Sequence, residues 1–87
     1  MSEESTGDKR VHVEFCGQLH EQAGTRSQSV RTTAGTAAEL WDELRERNRL
    51  TLDQSVVRAA INDRIQPWTH PIRDEDRVAL FPPFSGG

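Results

Sequence analysis

The chain is 87 residues long, 33% hydrophobic and 29% charged, which is enough for one small domain. Leu, Ile, Val and Phe supply only 18 positions, so the core is lean, while a net charge of -3 sets little self-repulsion against compaction. Beyond residue 9, ten arginines face eleven acids, a near-neutral balance that lacks the basic footprint of a nucleic-acid binder. No apolar run approaches the roughly 18 residues of a membrane helix, and the opening MSEESTGDKR has no apolar leader. The lone Cys16 excludes an internal disulfide or a zinc knot and is in keeping with a reducing, cytoplasmic compartment.

Residues 1–9 are polar, acidic and aperiodic, and read as a disordered extension. Val11, Val13 and Phe15 alternate with His12, Glu14 and Cys16, the pattern of a half-buried strand that Gly17 breaks. Residues 18–25 read as a connection with a turn at Gly24, and Ser27 to Thr32 as a weakly specified second strand around Val30. Thr36-Ala37-Ala38-Glu39 is a capping-box signature. After it Ala37, Leu40, Trp41 and Leu44 share one helical face, predicting a helix over about 36–48. Glu43 and Arg47 have the spacing of an i,i+4 ion pair.

Val57, Ala59 and Ile61 then alternate with Arg58 and Ala60, and Asn62-Asp63 suits a two-residue hairpin turn. A strand from Ile65 to Trp68 follows, marked as edge-like by Pro67 and Pro71. Arg73-Asp74-Glu75-Asp76 is a turn, and Arg77 to Phe81 a final strand. The expected fold is α+β in two layers, a sheet of four to five strands packed on one main helix. Its limits are an extension over 1–9, the domain over 10–82 and a flexible tail over 83–87.

Conventional catalysis finds no support. His12, His20 and His70 are scattered without metal-ligand spacing, and there is no phosphate loop or nucleophile elbow. Cys16, a lone thiol at a strand end, reads as packing rather than as a nucleophile. The chemistry lies instead in the last seven residues, Phe81-Pro82-Pro83-Phe84-Ser85-Gly86-Gly87. Two prolines stop strand pairing and keep the backbone extended. Gly86 and Gly87 lack Cβ atoms, so this end can enter a channel closed to larger residues. The reactive group is then the α-carboxylate of Gly87, inert until activated, for instance as an acyl-adenylate. With Gly at about 7% of residues, Gly-Gly arises by chance at a given place about 0.5% of the time, so its position after a final strand and Pro-Pro carries weight.

Three stretches, Ala60-Ile61-Asn62-Asp63-Arg64-Ile65, His70-Pro71-Ile72-Arg73-Asp74 and Arg77-Val78-Ala79-Leu80-Phe81 through Gly87, resemble the MoaD branch of the MoaD/ThiS family of ubiquitin-like sulfur carriers. These are small subunits of molybdopterin synthase. The resemblance covers residues 10–87 and is most specific over 60–87. It implies a β-grasp fold and no bound cofactor or metal. It implies that Gly87 is adenylated by an ATP-using, E1-like (MoeB-like) enzyme and converted to a thiocarboxylate by a sulfur donor protein. It further implies that Phe84, Ser85 and Gly86 enter the large (MoaE-like) subunit. Cys16, Ile65 and Phe81, with Pro82 and Pro83, would then form the docking patch for both partners. The chain departs from the family at Gly17-Gln18-Leu19-His20-Glu21, where Ala-x-x-Arg-Glu is common, and at Asp74-Glu75-Asp76, where Asp-Gly-Asp is common. Three alternatives stay open: a carrier for thiazole synthesis, a ubiquitin-like modifier joined to lysines, and a passive binding module. Phe81-Pro82-Pro83 favours the molybdenum-cofactor branch over the thiazole one.

Overall fold

Alternation of apolar and polar residues marks β1 most clearly, and the computed structural model describes residues 9–83. The elements are β1 (Lys9–Phe15), α1 (Gln18–Ala23), β2 (Ser27–Thr32), α2 (Ala37–Asn48), a 3-10 turn (Gln54–Val56), β3 (Arg58–Ile61), β4 (Arg64–Gln66) and β5 (Arg77–Phe81). They form one five-stranded sheet in the order β2-β1-β5-β3-β4. β1 and β5 are parallel at its centre, and the other neighbours are antiparallel. The expected α+β architecture of a sheet and one main helix is what the chain adopts. Residues 1–8 of the expected extension and residues 84–87 of the expected tail lie outside the described residues.

The core forms between one sheet face and α2. Val11, Val13 and Phe15 of β1, Ala59 and Ile61 of β3, and Val78 and Leu80 of β5 are buried against Ala37, Leu40, Trp41 and Leu44. Trp41 is 1% exposed, and its ring lies 5.9 Å from that of the half-buried Trp68 at a 49° tilt. Burying the indole leaves Nε1 without a hydrogen-bond partner among the described residues, a cost of about 1–3 kcal/mol set against a large apolar area.

The helix starts where its sequence says it does, because each early N–H has an acceptor. Thr36 caps it, its hydroxyl accepting from Glu39 N at 3.3 Å. Ala37 N and Ala38 N donate to the carbonyls of His70 and Trp68, both at 2.9 Å. The Glu39 carboxylate does not close the expected box on Thr36; it reaches one residue further, to Gly35 N at 2.7 Å. Glu43, spaced to pair with Arg47, instead accepts the hydroxyl of buried Thr32 at 2.6 Å and so ties α2 to β2.

Four departures from the periodicity have physical causes. β1 begins at Lys9, inside the expected extension, because its ammonium donates to Ala34 O at 2.7 Å and its backbone pairs with Thr32. Residues 18–23 are a helical turn and a half rather than a connection, because Leu19 is buried and Ala23 packs beside it one turn later. β4 stops at Gln66, since Pro67 cannot donate to the ladder, and Trp68 turns into the core margin. Glu75 takes φ 69°, the left-handed region that glycine enters freely. Its backbone N donates to Arg10 O at 2.7 Å, and its carboxylate meets His12 Nε2 at 2.8 Å.

Asp76 pins the turns at this end of the sheet. It is buried, accepts from Arg73 N at 2.8 Å and from Asn62 Nδ2 at 2.9 Å, and Asn62 Oδ1 in turn accepts from Arg77 N at 3.0 Å. Asp76→Ala strands those donors and is expected to lower stability by about 1–3 kcal/mol, measured by denaturant unfolding.

Candidate functional site

β5 occupies the middle of the sheet, so the chain leaves the fold at Phe81 from a central strand rather than an edge. With Val78 and Leu80 directed into the core, alternation places Arg77, Ala79 and Phe81 on the face that α2 leaves open. The register then brings the other strands' outward residues alongside. Ala60 of β3 sits between Ala79 of β5 and Ile65 of β4, and Arg58 pairs with Phe81. Ile65 is 58% exposed and Phe81 37%, while Ala60 is 7% exposed in the low ground between them. An apolar strip with a small-residue floor is thus open to solvent, the signature of an interaction surface.

Cys16 directly follows β1 at the same end of the sheet as Phe81. Its backbone N donates to Leu80 O at 3.0 Å, and it lines a shallow recess with Glu14, Gly17 and Arg26. Burial first, and the Glu14 charge second, raise the thiol pKa above its ordinary value. The thiolate is therefore scarce at neutral pH, which suits a packing residue and not a nucleophile.

The tail's root rests on Gly17. That residue has φ 56° and ψ -135°, backbone that side chains with a Cβ rarely adopt. A Cβ built there would lie 2.9 Å from Pro82 Cγ. The bare glycine is what lets the half-buried Pro82 settle against the β1–α1 turn, while Pro83 is exposed. Phe81, Cys16, Pro82 and Pro83 therefore lie at the strand ends where the chain exits, while Ile65 stands on the same face two strands away, level with Ala79. Phe84, Ser85, Gly86 and Gly87 lie outside the described residues. Ala60, Ala79 and the Gly17 seat complete the surface without being foreseen. The Ala60/Ala79 pair was visible only as strand alternation, and Gly17 only as a strand break.

Two outcomes test this geometry. Gly17→Ala should lower stability by about 1–3 kcal/mol through backbone strain and displace Pro82, seen as amide shifts at Cys16 and Phe81. Iodoacetamide labelling of Cys16 should follow a pH–rate profile displaced above that of a free peptide thiol, and run slower than it at neutral pH.

The ThiS family model matches residues 13–87. The chain is similar to the molybdopterin synthase sulfur carrier subunit of Escherichia coli (strain K12), 32% identical over 80 residues that span 88% of this chain and 99% of that one. Its structure resembles subunit 1 in the complex of subunits 1 and 2 of the molybdopterin-converting factor from Helicobacter pylori 26695, with TM-score 0.63, 28% identity, and coverage of 90% and 99%. It also resembles the small archaeal modifier protein 1 of Haloferax volcanii, with TM-score 0.75, 21% identity, and coverage of 87% and 99%, a likeness of fold. With a ubiquitin-like β-grasp sheet, an open apolar face and these matches, the chain belongs to the ThiS/MoaD family of sulfur carriers.

Proposed function

We propose that this chain is the sulfur-donating small subunit of a molybdopterin synthase and that its working group is the Gly87 carboxylate. The observation that carries the reading is the union of two features of one sheet. The central strand β5 ends at exposed Phe81 and continues in sequence through Pro82-Pro83 to Gly86-Gly87, and exposed Ile65 stands on the same open face. The 32% identity to a carrier subunit of that synthase supports the same assignment.

The chemistry asks little of the fold. The Gly87 carboxylate attacks the α-phosphorus of ATP on an E1-like adenylating enzyme, forming an acyl-adenylate and releasing pyrophosphate. A persulfide sulfur from a donor protein displaces AMP, and reduction of the resulting disulfide by a thiol frees the thiocarboxylate. The large subunit binds the pterin precursor and takes the sulfur, and water supplies the oxygen that returns the carrier as carboxylate. Each step belongs to the cytoplasm, where thiols stay reduced. The carrier's part is to present the group on a narrow stem and to dock through the open face.

A ubiquitin-like modifier is the second reading, favoured by the fold shared with the archaeal modifier protein. It requires isopeptide transfer to lysine instead of sulfur transfer.

Incubation with the adenylating enzyme, ATP and a sulfur donor should raise the intact mass by one oxygen-to-sulfur exchange. Deleting Gly87 should abolish the exchange and leave thermal unfolding unchanged, because among the described residues no core residue lies beyond Leu80. Isopeptide-linked targets in place of the mass change would transfer the assignment to the modifier class.

A further inference from the structure

The open face is not only apolar. Among the described strand residues that alternation directs to it, Glu14 is the one acid, against Arg10, Arg31, Arg58 and Arg77. The arginines are not equivalent. At the far end Arg77 meets Asp63 at 3.1 Å and the His12 ring meets Glu75 at 2.8 Å, while exposed Arg10 makes no side-chain ion pair among the described residues. At the exit end, Arg58 is exposed beside Phe81 with no side-chain partner among the described residues. Arg26, equally exposed and without such a partner, lines the recess beside Cys16 and the one beside Ala60 and Ala79. Two guanidinium groups without a side-chain ion pair among the described residues thus stand on either side of the apolar exit, Arg26 sharing its recess with Glu14 and Glu21. The opposite face of the molecule differs: α2 carries exposed Glu39, Asp42 and Glu46 beside its arginines.

We propose that Arg26 and Arg58 steer and orient docking, and that the surface they fit is an apolar pocket rimmed by carboxylates on the large synthase subunit. The inference rests on the carrier role proposed above and adds the chemistry of its partner. Arginine suits the task because its planar fork holds a carboxylate in one orientation, which fixes the direction of the tail. Exposed pairs contribute little to final affinity but strongly affect encounter. The effect therefore belongs in the association rate and in its dependence on salt.

The test measures association of the full chain with the purified large subunit by stopped flow. Ionic strength is set at about 0.01 M and about 1 M, between which the screening length falls from about 30 Å to about 3 Å. Arg26→Glu/Arg58→Glu is expected to associate at least tenfold more slowly at the lower ionic strength and to converge on the unmodified chain at the higher one. Arg26→Lys/Arg58→Lys should keep most of the fast low-salt rate, and Arg47→Glu on α2 should keep all of it. An unchanged low-salt rate in the Glu variant overturns the proposal. So does slowing that is equal at both ionic strengths, or equal slowing by Arg47→Glu. Failure of the unmodified chain to bind the large subunit at either ionic strength sinks the carrier assignment itself, and this inference with it.

Discussion

The parallel pairing of β5 with β1 is the constraint on which the rest depends. It draws the last strand into the middle of the sheet, with β3 hydrogen-bonded on its other side. A strand hydrogen-bonded on both edges frays less readily than an edge strand, so the chain leaves the sheet from a well-held strand. The parallel geometry also aligns the ends of β1 and β5, which sets the Gly17 turn beside Pro82. Had the last strand been an edge, neither a fixed stem nor a surrounding apolar floor would exist.

One sheet serves two purposes because its faces are chemically unlike. The inner face carries β-branched and aliphatic residues and is closed by α2. On the outer face, small alanines at the centre leave a floor, and Ile65 and Phe81 rise from it. These two exposed residues reduce the apolar stock available to a core that is already lean. Polar ties take up part of the difference: Thr32 to Glu43, Asp76 to the turns, and the loop carbonyls of Trp68 and His70 to the start of α2. Binding a partner over the open face would add stability by mass action.

Much of this was legible without coordinates. The Thr36 cap, the helical face Ala37-Leu40-Trp41-Leu44 and the Asn62-Asp63 turn are local signals, and each operates where it stands. What escaped notice involves partners distant in the chain. Leu19 and Ala23 make too short a stripe to announce α1, which forms because the core lies beneath Leu19. Glu43 had a local partner by spacing, but Thr32, 11 residues away, offered a buried hydroxyl at 2.6 Å. Glu75 holds a backbone angle suited to glycine because the Arg10 carbonyl and His12 ring hold it there.

The sequence by itself determined the order of the five strands and α2, the limits of α2 and a small-residue segment after Pro82-Pro83. These follow from periodicity, capping and residue size, which act over a few positions. Tertiary structure alone decided that β5 lies at the centre and that Gly17 seats Pro82. It also decided that Arg26 and Arg58, 32 residues apart in the chain, flank one apolar exit. Strand order and register are set by which long-range pairings bury the most apolar surface at once, and no local window of residues contains that comparison.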